Sequence, residues 1–199
     1  MKALAVLYAT REGQTRRIAE HIAATLRKRQ FMVDVLEVGR DLPADFDLAR
    51  YGAAVLAASV HFGKHERAMI EFVKTHRREL ERLPSAFFSV SLSEAGAEDA
   101  SATDGRRKRA AANVKAMIGE FVRETGWSPP HMHPVAGALL YRQYGLIVRL
   151  AMCLIAKLTG ATTDTSRDHE YTDWQALDRF ADEIAADVDR RNSKQELRS

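Results

Sequence analysis

Three hydroxyl and glycine residues near the start of the chain have the spacing of a phosphate-binding loop. Thr10, Gly13 and Thr15 separate a mainly apolar run, residues 2–8, from a run with helical spacing, residues 16–29. Backbone N–H groups in such a turn converge at the positive end of the helix dipole, and threonine hydroxyls add donors. Without a Walker lysine or G-x-G-x-x-G motif, the loop suits a monophosphate. The alternative is a helix-capping turn with Thr15 as its cap.

Two later loops carry side chains suited to a flat aromatic ligand. Residues 59–65 read Ser-Val-His-Phe-Gly-Lys-His, and residues 91–105 are rich in Ser, Ala, Glu and Asp. His61 and Phe62 offer ring faces, and Gly63 allows a peptide unit to approach a ligand closely. The alternative for the first loop is a solvated face with no ligand.

Other residues that could carry chemistry are few. There is no evident nucleophile–base pair. His131 and His133 have i, i+2 spacing between Pro130 and Pro134, and two histidines at the edge of a sheet do not by themselves predict a metal site. We therefore predict no metal. The single cysteine, Cys153, excludes an internal disulfide and fits a core position.

Alternating strand and helix patterns position these loops. Strands are predicted at residues 2–8, 31–38, 51–59, 83–92 and 132–139, and helices at 16–29, 66–80, 104–124 and 173–190. The alternation predicts one α/β domain, residues 1–190, with a doubly wound, five-stranded parallel sheet of order 2-1-3-4-5 and a polar tail at residues 191–199. Ligands of such sheets bind outside the carboxyl ends of strands one and three.

An unusual segment, residues 140–172, separates the fifth strand from the last helix. Residues 146–158 are apolar apart from Arg149 and Lys157. A helix of this length is too short to span a bilayer. It would either pack into the protein or lie in a membrane interface with its basic ends near head groups.

Charge narrows the classes of partner. The 199 residues carry a net charge of +3, and the pI is 9.1. This balance favours an anionic substrate or an anionic membrane surface. Nucleic acid is not expected, because no nucleic-acid-binding module is present. The chain enters a strand directly after Met1 and Lys2 with no signal peptide, which predicts a cytoplasmic location.

Several motifs together resemble one family, the menaquinone-dependent protoporphyrinogen IX dehydrogenases, which are flavodoxin-like proteins. The similar stretches include Thr-Arg-Glu-Gly-Gln-Thr at residues 10–15, Leu-Pro-Ser-Ala-Phe-Phe-Ser-Val at residues 83–90, Val-Ala-Gly-Ala-Leu at residues 135–139, Thr-Asp-Thr at residues 163–165 and Tyr-Thr-Asp-Trp at residues 171–174. The last three stretches flank an insertion of the kind that this family carries.

The resemblance implies an FMN enzyme that oxidises protoporphyrinogen IX to protoporphyrin IX in haem biosynthesis. Electrons would pass to a membrane quinone, menaquinone, at the inner-membrane surface, so the cytoplasmic protein would be peripherally associated with that membrane. Residues 140–172 would then have a substrate or membrane role. An NAD(P)H:quinone oxidoreductase and an electron-transfer flavoprotein remain the alternatives, and a homo-oligomer is left open.

The resemblance also directs the choice of site residues. FMN is expected to contact three loops, at Thr10, Arg11, Glu12, Gly13, Gln14 and Thr15, at Ser59, Val60, His61, Phe62 and Gly63, and at Ser91, Leu92 and Ser93. Catalysis would depend mainly on the flavin. Lys64, together with His61 or His65 when protonated, would stabilise the negative charge of the reduced cofactor, which makes His61 and Lys64 the candidate catalytic residues.

Overall fold

The computed structural model describes residues 3–139 and 169–196. The strands in these ranges are β1 (Leu4–Ala9), β2 (Val33–Glu37), β3 (Ala53–His61), β4 (Lys64–His65), β5 (Ser85–Ser91), β6 (His131–Ala136), β7 (Ala138–Leu139) and β8 (His169–Glu170). The α-helices are α1 (Gln14–Lys28), α2 (Arg67–Leu80), α3 (Leu92–Glu98), α4 (Asp104–Thr125) and α5 (Trp174–Glu196). A 3₁₀ turn covers Leu48–Arg50.

Five parallel strands form the main sheet in the order β2-β1-β3-β5-β6, and β4 pairs antiparallel with β3. This order is the predicted one. Because β1 and β3 are neighbours whose crossovers lead to opposite edges, the carboxyl ends of these strands mark the switch point of the sheet. The loops after β1, β3 and β5 therefore gather at one edge.

The sheet is covered on both faces. On one face, the buried side chains of α1 and α5 pack against alternate strand residues such as Leu4 and Val55. On the other, residues of α2 and α4 pack against the intervening strand residues, among them Leu56 and Phe87. Strands that are buried on both faces have continuous apolar sequences, which explains why β1 and β3 could be predicted from the sequence.

The structure corrects several predicted boundaries. The acidic loop expected at residues 91–105 contains the helix α3, and the expected fifth strand divides into β6 and the short β7. The last helix continues to Glu196, into the stretch predicted as a polar tail. Gly126 ends α4 in the left-handed conformation, with φ of 69° and its N–H bonded to Val122 O, as glycine commonly does.

The inserted segment begins and ends at a two-stranded neck. Strands β7 and β8 pair antiparallel, with Ala138 opposite Glu170 and Leu139 opposite His169. The predictions for the helix at residues 146–158, for Arg149 and Lys157 within it and for Cys153 lie outside the described residues. Among the described residues, no helix is long and apolar enough to cross a membrane.

Candidate functional site

The loop after β1 opens the N-terminus of α1 toward the ligand edge of the sheet. Gly13 is the N-cap residue with φ of 90°, and none of the described side chains caps the helix. A Cβ on Gly13 would meet no atom within 4 Å, so open space faces this turn. No acidic residue occupies the first turn of α1. The positive end of the helix dipole is therefore suited to bind an anion.

The two threonines of this loop are poised differently. Thr10 Oγ1 accepts a hydrogen bond from the Gly13 N–H at 3.0 Å, which leaves the hydroxyl hydrogen of Thr10 to donate. Thr15 is completely buried, and its Oγ1 has no hydrogen-bond partner among the described residues. A buried hydroxyl without a partner is costly unless a ligand completes it. The loop therefore fits a phosphate, and Thr15 does not act as the helix cap.

Gln14 fastens this loop to the segment that follows the insertion. Its Nε2 donates to Glu170 Oε1 and to Thr172 Oγ1, each at 2.9 Å. Thr172 in turn donates to Ala136 O at 2.7 Å. The Gln14 side chain is thus occupied, and only its backbone N–H remains for a ligand. The sequence carries no signal for this contact, because Gln14 and Thr172 lie 158 positions apart.

Arg11 and Glu12 lean toward the second loop instead of into the phosphate turn. Arg11 Nη2 lies 3.4 Å from Glu66 Oε1, and Glu12 Oε2 lies 3.0 Å from His61 Nε2. His61 Nε2 also lies 3.5 Å from Glu66 Oε1. His61 Nε2 thus lies within ion-pair distance of two carboxylates but forms no hydrogen bond with any described residue. These contacts link the loop after β1 to the loop after β3.

The second loop is a tight hairpin. Strand β3 runs to His61, which pairs with Lys64 of β4, and Phe62 and Gly63 form the two-residue turn between them. Both turn residues have positive φ, 49° and 78°, as a type I′ turn requires. Phe62 is 94% exposed. The sequence does not predict this hairpin, because phenylalanine is unusual at a turn position with positive φ.

The Phe62 ring is exposed, so its faces are open to a ligand, and the stacking role stays a prediction. Ser59 and Val60 precede it at the end of β3. Ser59 Oγ is buried and has no hydrogen-bond partner within residues 3–139 and 169–196, and the backbone of Val60 pairs with His65. Ser59 is therefore a second buried hydroxyl at the ligand edge that lacks a hydrogen bond to the described part of the chain.

His65 does not belong to the cationic group expected around Lys64. Its side chain is buried between Phe87 and Phe121, and Nε2 lies 2.8 Å from Ser89 Oγ. Burial lowers the pKa of His65 from 6.5 to about 4. His65 is neutral at pH 7, so the prediction that it contributes positive charge is wrong. Lys64 is exposed and remains the cation of this hairpin.

The third loop begins with a capped helix. Ser91 Oγ accepts from the Glu94 N–H at 3.2 Å, and Ser91 O accepts from the Gly137 N–H at 3.0 Å. The Ser-Leu-Ser-Glu sequence of residues 91–94 has the spacing of a capping box, a signal that predicts this helix. Ser91 is therefore committed to the fold. The first-turn N–H groups of Leu92 and Ser93 have no acceptor within α3 and remain for a ligand.

Carboxyl groups of α3 are held in an unfavourable environment. Burial, with the nearby Glu98 carboxylate, raises the pKa of Glu94, and burial, with Asp173, raises the pKa of Glu98. Negative charge at this position would oppose a further anion beside α3. Charge therefore favours binding of a phosphate at α1 over binding at α3.

Taken together, three loops frame an elongated site at the carboxyl edge of the sheet. One end provides an uncapped helix and the buried Thr15 hydroxyl. The other provides the exposed Phe62 ring and the positive charge of Lys64. This arrangement suits a ligand with a phosphate at one end and a flat ring at the other.

Comparison with known sequences agrees with this geometry. Residues 5–166 match the family described as the Flavodoxin domain. The chain is 34% identical over 185 residues to "Protoporphyrinogen IX dehydrogenase [quinone]" of Escherichia coli strain K12, covering 93% of this chain and 95% of that protein. It is 35% identical over 182 residues to the Leishmania major protein of the same name, covering 91% of this chain and 74% of that protein.

Solved structures share the architecture. A short-chain flavodoxin associated with a bacterial microcompartment superposes with a TM-score of 0.54 at 13% identity, covering 94% of this chain and 99% of that one. A flavodoxin from the domain Archaea superposes with a TM-score of 0.50 at 18% identity, covering 95% and 99%. At such identities, these likenesses establish the fold.

Proposed function

The chain belongs to the Flavodoxin domain family, among the relatives of the protoporphyrinogen IX dehydrogenases, and from that premise we propose that it is an FMN-dependent protoporphyrinogen IX dehydrogenase. Its electron acceptor would be a membrane quinone, menaquinone, and its place would be in haem biosynthesis. The observation that carries the proposal is near full-length similarity to two proteins of that name, which extends across the insertion.

Residues at the phosphate end would hold the cofactor. The Thr10 and Thr15 hydroxyls and the N–H groups at the start of α1 would donate to the FMN phosphate, and Gly13 leaves room for it. Gln14 keeps this loop in place through Glu170 and Thr172. Bound FMN would supply the two-electron acceptor that the protein's side chains lack.

Residues at the ring end would orient and tune the cofactor. The Phe62 ring offers a stacking face, and the backbone N–H groups of Leu92 and Ser93 offer donors. Lys64 brings positive charge, which favours the added negative charge of the reduced state. His61 stands between two carboxylates, Glu12 and Glu66, so its role is to hold the hairpin against the loop after β1.

The substrate and acceptor fit the charge of the protein. A porphyrinogen carries propionates and a quinone resides in lipid, so both favour a basic surface near the ligand edge. Helix α4 begins at that edge, and its exposed Lys108, Arg109 and Lys115 form no ion pair with described residues. We propose that the protein contacts anionic membrane peripherally. Sedimentation with anionic vesicles should then weaken as salt rises, and equal sedimentation with zwitterionic vesicles would contradict it.

Quinone-coupled turnover tests the proposed function. Purified FMN-loaded protein, protoporphyrinogen IX and a menaquinone analogue are mixed without oxygen, and porphyrin fluorescence is followed. The proposal predicts porphyrin formation that requires both FMN and quinone. Rapid quinone reduction by NADH or NADPH, with no oxidation of protoporphyrinogen IX, would instead identify an NAD(P)H:quinone oxidoreductase.

A further inference from the structure

A group of metal-ligating side chains lies at the opposite edge of the sheet from the cofactor site. His131 and His133 share one face at the start of β6, and Glu183 faces them from α5. One ligand atom from each residue lies within 4.8 Å of the other two. The sequence alone predicts no metal from the two histidines, because the third member follows 50 positions later and only the fold brings it near.

Both imidazoles are held in place by contacts of their own. His131 Nε2 lies 2.8 Å from Asp187 Oδ2, and Asp187 is also bonded by Arg190. The His133 ring stacks on Phe180 with 3.8 Å between ring centroids. Metal-binding histidines are commonly oriented by such a carboxylate partner, and fixed rings lower the cost of assembling a site.

Two members of the group have ligand atoms that other described residues do not use. His133 Nε2 is buried and has no hydrogen-bond partner in the part of the chain that the structure describes. Glu183 is exposed and forms no hydrogen bond or ion pair with described residues. The group thus combines an imidazole that lacks a partner with a carboxylate that is free to turn toward it.

We infer that His131, His133 and Glu183 form a binding site for Zn²⁺ that joins α5 to the edge strand β6. Two imidazoles and a carboxylate are ligands that suit zinc, whereas Mg²⁺ and Ca²⁺ require mainly oxygen. Ligands of a tetrahedral zinc ion lie about 3.3 Å apart, at bond lengths of roughly 2.0–2.1 Å. Glu183 is exposed, so its side chain has room to turn toward the two imidazoles.

The position of the site indicates a structural role. His131 begins β6, so the ion would lie at the amino edge of the sheet, away from the loops that would hold FMN. Helix α5 contributes buried Leu177, Ala181 and Ile184 to the core. An ion across β6 and α5 would stabilise the docking of this helix and protect the edge strand.

Calorimetric titration of ZnCl₂ into tag-free, FMN-loaded protein, first cleared of metal by a chelator, tests the site. We expect one equivalent to bind with a dissociation constant of about 1 μM or below and to raise the melting temperature, whereas Mg²⁺ has no effect. The flavin absorbance should stay unchanged, which separates this site from the cofactor site.

Matched variants decide whether these residues are the ligands. Glu183→Gln keeps the size of an exposed side chain and should weaken zinc binding at least about tenfold. His133→Gln should do the same, while Asp189→Asn, another exposed carboxylate of α5, should bind like the unaltered protein. Absence of zinc binding, weak binding of several equivalents, or equal affinity in Glu183→Gln would overturn the inference.

Discussion

Thr15 is the residue on which the cofactor assignment depends most directly. Its hydroxyl is buried and lacks a partner in the described structure. Thr15→Val keeps the shape and removes the donor, so we expect FMN binding to weaken by about 1–2 kcal/mol, roughly 5- to 30-fold. Fluorescence titration of the apoprotein measures this. Thr125→Val, a buried helix threonine bonded to Phe121 O, is the control, and unchanged affinity in Thr15→Val would place the phosphate elsewhere.

Lys64 tests the electrostatics of the ring end. Lys64→Glu replaces an exposed positive charge on the hairpin by a negative one. We expect the midpoint potential of bound FMN to fall by on the order of tens of millivolts, because like charge disfavours the reduced cofactor. Lys28→Glu, at the far end of α1, should leave the potential unchanged. An unaltered potential in Lys64→Glu would mean that this side chain does not act on the ring.

His65 makes stability depend on pH. Its pKa is about 4 in the folded protein and 6.5 ordinarily, so protonation favours the unfolded chain. The contribution is complete above pH 6.5 and is lost as pH falls toward 4, at a cost of about 3 kcal/mol. Urea unfolding across this range should show the loss. In His65→Gln the free energy of unfolding should fall by about 3 kcal/mol less over this pH range. Parallel plots of unfolding free energy against pH for the two proteins would contradict the burial argument.

At the scale of elements, the β3–β4 hairpin exposes the Phe62 ring in a backbone conformation that lowers its stability. Phe62 adopts a positive φ that is unfavourable for a side chain with Cβ. Phe62→Asn installs the Asn-Gly pair preferred in type I′ turns, so we expect the free energy of unfolding to rise by about 0.5–1 kcal/mol. FMN binding should weaken by about 1 kcal/mol through loss of stacking.

Urea unfolding of the apoprotein and FMN titration measure the two effects separately. Met32→Asn, which removes another exposed apolar side chain, should leave FMN affinity unchanged. If Phe62→Asn binds FMN as tightly as the unaltered protein, the ring of Phe62 does not contact the cofactor.

Local sequence patterns predicted the strands and helices, whereas contacts between residues far apart in the sequence could not be predicted. The apolar runs of β1 and β3 predicted these strands, because burial on both faces leaves a signature in adjacent residues. The Thr10, Gly13 and Thr15 spacing predicted the turn before α1, and its role in phosphate binding stays a prediction. No such signature marks the hydrogen bond between Gln14 and Thr172 or the proximity of Glu183 to His133, because these residues lie far apart in the sequence. The sequence also placed His65 beside Lys64 in one loop, although successive strand residues point to opposite sides.

At the scale of the molecule, the neck between β7 and β8 lets a flavodoxin-like domain carry an insertion without altering its sheet. Ala138 pairs with Glu170, and Glu170 also contacts Gln14 of the phosphate loop. The base of the insertion is therefore joined directly to the cofactor end of the sheet. From this connection we propose that residues 140–168 take part in the proposed activity.

We propose that protoporphyrinogen IX delivers electrons to FMN held by this chain. The most direct measurement is anaerobic stopped-flow mixing of FMN-loaded protein with protoporphyrinogen IX, without quinone, while flavin absorbance and porphyrin fluorescence are recorded together. We predict that the flavin absorbance bleaches as oxidised tetrapyrrole appears, and that a menaquinone analogue restores it. Flavin that stays oxidised with protoporphyrinogen IX but bleaches with NADH or NADPH would contradict the account.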